Sequence, residues 1–119
     1  MKKLFVLLMV ISFALSAQVI VDSVDINKLD DVQYCQIVGT QKFLSWKVRI
    51  DVDYGQNRSR TEEVDDFWVR GEDGKKVNFH SMIHALNFMY KNGWEYVDAF
   101  VITKGKSNVY HYILRRRNQ

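Results

Sequence analysis

The chain has 119 residues, of which 47% are apolar, 26% charged and 13% aromatic, with no proline and a single cysteine. That length excludes a multidomain enzyme, and the composition excludes a disordered tail or a polybasic arm. The formal charge of +3 comes from 17 basic and 14 acidic side chains; without Lys2 and Lys3 the balance is 15 against 14, so net charge carries no message about a polyanionic partner.

Met1-Lys2-Lys3 precedes an apolar run from Leu4 to Leu15, and Ala14, Ser16 and Ala17 supply small residues around its end. This is the layout of a secretory signal peptide over residues 1–17, with Gln18 as the expected mature start. The run of 12 residues falls short of the roughly 20 that a permanent helical span requires. The expectation is an exported product, periplasmic or secreted, with no membrane span after cleavage. Cys35 has no second cysteine to pair with, so packing rather than a disulfide must hold the fold, and Cys35 reads as a small buried hydrophobe.

Residues 18–31 read as an N-terminal arm, open between an edge strand through Val19–Val21 and a mobile tail. Residues 32–119 then read as a single α+β domain. Val32 to Gly39 is strand-like. From Trp46 to Tyr54, apolar Trp46, Val48, Ile50, Val52 and Tyr54 alternate with Lys47, Arg49, Asp51 and Asp53, the period of two that puts one face on a core and the other in water. Gly55 to Thr61 is a polar loop, and Asp73-Gly74 between short apolar runs at Phe67–Arg70 and Lys75–Phe79 signals a hairpin.

Ser81 is a helix cap, and Met82, Ala85, Leu86 and Met89 recur at intervals of three and four, which predicts a helix from Met82 to Asn92. Gly93 supplies the left-handed stop and Trp94 the apolar contact behind it. Glu95–Lys104 and Asn108–Arg115 form a closing hairpin. The order predicts an α+β fold, an antiparallel sheet of about four to five strands with one helix packed on one face. Strict alternation puts Val97, Ala99 and Val101 under the helix and Tyr96, Asp98, Phe100 and Ile102 on the other face.

Ala85-Leu86-Asn87-Phe88-Met89, Asn92-Gly93-Trp94-Glu95-Tyr96-Val97 and Val109-Tyr110-His111-Tyr112-Ile113-Leu114-Arg115-Arg116 carry a resemblance. The C-terminal half resembles a small bacterial domain of unknown function in which a helix stops at Gly-Trp-Glu and the last strand closes on Lys/Arg. The mature chain also resembles exported proteins of Bacteroidetes-type bacteria, through Ile37–Thr40 and Asp53–Gln56. The resemblance implies a fold and an exported product and transfers no catalytic residue.

His80 and His84 stand four apart, a spacing that lets two imidazoles meet one metal ion if both lie on one helical face; with Ser81 as the cap, His80 falls outside the helix. Asp51 and Asp53 share a strand face with Cα atoms about 6.5–7 Å apart, but Lys47 and Arg49 share it too, as in a solvated charged stripe. The terminal Arg115-Arg116-Arg117 run reads as solvated, and no nucleic-acid partner is expected. No phosphate loop, nucleophile elbow or paired Cys motif occurs, and no cofactor is expected. Tyr96, Phe100, Tyr110 and Tyr112 are the candidate binding residues, as aromatics on a sheet face that one helix leaves uncovered. The reading is a non-enzymatic binding or protein-interaction module of the cell envelope, with an unidentified protein or glycan partner and a homo-oligomer as a further option. The alternative is a small metal-dependent or carboxylate-based hydrolase using the histidines or the aspartates.

Overall fold

The computed structural model describes residues 17–41, 48–57 and 69–117. In chain order these form β1 (Ile20–Val21), β2 (Val24–Asp25), a 3-10 turn (Ile26–Lys28), β3 (Tyr34–Gln41), β4 (Val48–Asp53), β5 (Val69–Arg70), α1 (Met82–Lys91), β6 (Trp94–Lys104) and β7 (Ser107–Arg116). Among the described residues the architecture is α+β with one α-helix and two antiparallel sheets, one ordered β4-β3-β7-β6 and a smaller one ordered β2-β1-β5. Trp46, Lys47, Phe67 and Trp68 of the expected strands, the loop from Arg58 onward and the leader through Ser16 lie outside the described residues.

The alternation expected in β4 is present: Ile50 and Val52 are buried while Arg49 is exposed and Asp51 and Asp53 are half-buried. In β3 the buried positions are Cys35, Ile37 and Gly39, one face of the pleat. Helix α1 lies on that face and buries Met82, Ala85 and Met89. It comes so close to β3 that a Cβ on Gly39 would overlap the Met82 sulfur, which is the physical reason for glycine mid-strand.

Both helix ends follow from local chemistry. Ser81 is extended at φ −161°, and its Oγ accepts the His84 N–H at 3.0 Å. His84 Nδ1 accepts the His80 N–H at 3.1 Å, a back-bond to the residue before the cap, one position earlier than the N–H that Glu reaches in a capping box. At the other end Gly93 takes φ +96°, and Trp94 behind it is buried.

Residues 18–31 are built into the core. Val19, Val21 and Ile26 are fully buried, β1 pairs with both β2 and β5, and Asp22-Ser23 makes the tight turn with φ of 51° and 64°. Arg116 ties this segment down. Its guanidinium donates to the carbonyls of Ile26 and Leu29, both at 2.7 Å, of Asn27 at 3.1 Å and of Val32, while lying 5.0 Å from the centre of the Trp94 ring. Trp94 Nε1 donates to Asn27 Oδ1 at 2.7 Å, and Asn27 Nδ2 donates to the Asn92 carbonyl at 2.9 Å. The Ile26 and Leu29 carbonyls each accept one local N–H, from Leu29 at 3.3 Å and Val32 at 3.1 Å, and the five-donor fork of arginine adds a second, charged donor to each while reaching Asn27 and Val32 as well.

The basic run expected to be solvated is therefore committed residue by residue. Arg115 Nε sits 2.7 Å from Glu95 Oε1, Arg116 holds the N-terminal segment, and the Arg117 guanidinium lies 4.2 Å from the centre of the Tyr90 ring.

Candidate functional site

The β6–β7 ladder slips by one residue between Tyr96 and Asp98, leaving Val97 as a bulge. A single extra residue reverses which face every later side chain takes. Tyr96 meets Tyr112 edge-on, ring centres 6.1 Å apart, whereas Phe100 stacks on His111 at 4.5 Å with the planes 5° apart. Tyr112 and His111 are neighbours in β7, so those contacts are on opposite faces. The expectation that Tyr96 and Phe100 share a face is corrected: Tyr96, Tyr110 and Tyr112 belong to the helix-bearing face, and Phe100 belongs to the helix-free one. Tyr110 and Tyr112 pack against the core, while Tyr96 stays 53% exposed at the sheet edge.

The register defines the helix-free face row by row. Phe100, His111, Val38 and Asp51 form one row across β6, β7, β3 and β4. Asp98, Ile113, Gln36 and Asp53 form the next, and Ile102, Val109, Thr40 and Arg49 the one on the other side. The face is thus graded, apolar along β6 and β7 and charged along β4. Phe100 is 46% and Ile102 41% exposed.

A contact chain crosses all four strands on this face. From the Phe100–His111 stack, His111 Nδ1 lies 3.4 Å from Gln36 Oε1, and Gln36 Nε2 donates to Asp53 Oδ2 at 3.3 Å. Asp53 Oδ1 also accepts the Gly55 N–H at 2.9 Å. Because the carboxylate claims the amide NH₂, the Gln36 oxygen faces histidine, and Nδ1 must carry the proton that it accepts. His111 and Gln36 had no motif to announce them; their only signal was a polar side chain within the apolar centre of each strand, Tyr34–Gly39 and Val109–Leu114.

The other candidates go elsewhere. His80 and His84 stack at 5.1 Å between ring centres, and His84 Nδ1 is occupied by the His80 N–H. Among the described residues no three His, Cys, Asp or Glu side chains gather in a metal-binding cluster. Asp53 is held by Gln36 and the Gly55 turn, so it serves strand pairing and turn geometry. Cys35 is buried on the helix-bearing face, and burial pushes its thiol up to about 12, which keeps it protonated and unreactive near neutral pH.

A cleft of about 520 Å³ opens at the end of β3 between Leu29–Tyr34 and Tyr54–Gln56, with Asp31 as its one charged lining residue. No helix among the described residues is long and apolar enough to cross a membrane. Compared with known proteins, the chain matches no family model, no curated protein sequence and no solved structure.

Proposed function

We propose that this protein is an exported binding module of the cell envelope, without catalytic activity of its own, that engages a protein or glycan through the helix-free face where β6 and β7 meet. The observation that carries the reading is the exposed apolar row of Phe100 and Ile102 continuing into Val109 and Ile113 on a face the helix leaves open. Exposed apolar surface rimmed by charge marks interaction sites, and Arg49, Asp51 and Asp53 supply that rim along β4. The leader of residues 1–17 supports export, and the resemblance to exported bacterial proteins points the same way. The polar groups near the face are spent on one another, which favours recognition over chemistry.

The test is site-specific photo-crosslinking in native envelope. A crosslinker at Ile102 is expected to trap a discrete species that one at Asp73, in the Gly71–Gly74 turn, does not. Equal yields from both positions, or none from Ile102 together with no glycan-induced rise in Tm, would overturn the proposal.

A further inference from the structure

The edge of the same face points to a specific occupant. β6 ends the sheet order, and among the described residues no strand pairs with its outer side. An edge strand with free N–H and C=O groups is a template for another strand, and proteins blunt such edges with bulges and charges. Here the blunting sits at the two ends, with the Val97 bulge and Asp98, whose Oδ1 accepts the Ala99 N–H at 2.8 Å, on one side and the charge of Lys104 on the other, leaving Phe100 to Thr103 without a charge between them.

Beyond the bulge, Asp98, Phe100, Ile102 and Lys104 line the helix-free face in the order acid, apolar, apolar, base. That order is complementary to itself when reversed. An antiparallel copy related by a two-fold axis through Val101 would set Asp98 opposite Lys104, Phe100 opposite Ile102, and Val101 opposite itself. Directly opposed side chains are the unit of sheet stabilisation, and both opposite-charge and aromatic–aliphatic pairs are favourable. Moving the axis to Phe100 would set Asp98 against Ile102, and moving it to Ile102 would set Phe100 against Lys104. Only the Val101 register satisfies all four positions, so side-chain chemistry selects one pairing.

We infer that the occupant of the β6 edge is a second copy of this chain, paired antiparallel about Val101 so that the two four-stranded sheets become one of eight strands. The inference rests on the reading of this face as a docking surface and names its partner. Val101 is 53% exposed, and Asp98 and Lys104 are exposed, so none of the three is needed by the core. Such a dimer is isologous, and its two helix-free faces would join into one continuous surface.

Sedimentation equilibrium of the purified chain, with circular dichroism to confirm folding, tests this. Wild type is expected to be a dimer. Asp98→Lys and Lys104→Asp each oppose like charges at two symmetric places and should raise the dissociation constant about tenfold, and the double swap D98K/K104D should restore it. Val101→Lys, which sets two ammonium groups on the axis, should leave a folded monomer. A monomeric wild type, or association that ignores all four variants, would overturn the inference. If the Ile102 crosslinker still traps an envelope species while wild type is monomeric, self-pairing fails and the docking face stands.

Discussion

Phe100 lies flat on His111, 4.5 Å between ring centres, and this pair joins the apolar edge of the helix-free face to the polar chain that runs through Gln36 to Asp53. The stack holds an exposed aromatic ring in one orientation without burying it, the preorganisation that the proposed docking role calls for. Phe100→Ala should therefore cost about 1 kcal/mol or less in folding, the usual size of one aromatic pair, yet abolish crosslinking from Ile102. Chemical denaturation and the crosslinking yield, measured on the same variant, check both halves. A variant that loses stability and retains the crosslink would assign the ring to the fold instead.

Arg116 is expected to be the most sensitive polar residue in the described chain. Arg116→Ala removes the guanidinium donors from the carbonyls of Ile26, Asn27, Leu29 and Val32, of which Ile26 and Leu29 keep one backbone N–H each, and takes the cation from the Trp94 ring. The loss should be about 3 kcal/mol, seen as a fall in Tm of roughly ten degrees or more at about 4–8 °C per kcal/mol for a domain this size. Arg116→Lys keeps the charge but not the fork, and should recover less than half of the loss. Protease cleavage within residues 18–31 should rise in both variants.

Gly39→Ala drives a methyl group into Met82, so it should destabilise the fold by about 1–3 kcal/mol through overpacking. Met82→Ala alone leaves a cavity at a buried site and is also destabilising. The double variant should be more stable than the sum of the two losses, because the new methyl group occupies space that the methionine vacates. A double-mutant cycle by urea unfolding reads that coupling, and strict additivity would contradict the close helix–strand contact.

Cys35 gives the fold an alkaline limit. Its thiol is held at about 12 in the folded chain against 9.0 for the free group, chiefly through burial. Below pH 9 the thiol is protonated in both states; between about 9 and 12 only the unfolded chain releases the proton, so stability falls as pH rises. The slope from this group approaches about 1.4 kcal/mol per pH unit. Comparing wild type with Cys35→Ala from pH 8 to about 11 isolates it from the lysines and tyrosines: the difference in stability should change across that window and stay flat below it.

What could be read in advance was whatever local chemistry encodes. The Ser81 cap, the three-and-four spacing of Met82, Ala85 and Met89, and the Gly93 stop place α1 to within a residue, because each acts within a turn of its own position. The period of two in β4 and the closing hairpin were equally local. The face of Tyr96 was misjudged because a bulge is one extra residue, and Val97 looks like any other strand valine; Phe100, beyond the bulge, lies on the uncovered face that alternation gave it. The anchoring of residues 18–31 was hidden for a different reason: Arg116 meets Ile26 across 90 positions of chain, and an arginine run is equally consistent with solvation. His111 and Gln36 became partners only when β3 and β7 paired.

Binding through the helix-free edge of the sheet, as proposed above, requires that the outer side of β6 be covered when the partner is present. Hydrogen exchange at the amides of Asp98 to Lys104, measured with and without the envelope fraction that retains the chain, tests it most directly. The outward-facing amides of β6 should exchange quickly at low protein concentration and slow by tenfold or more when the partner is present. Unchanged exchange in β6 together with new protection around Tyr34 and Gln56 would place binding in the cleft at the end of β3 and overturn the assignment to the helix-free edge.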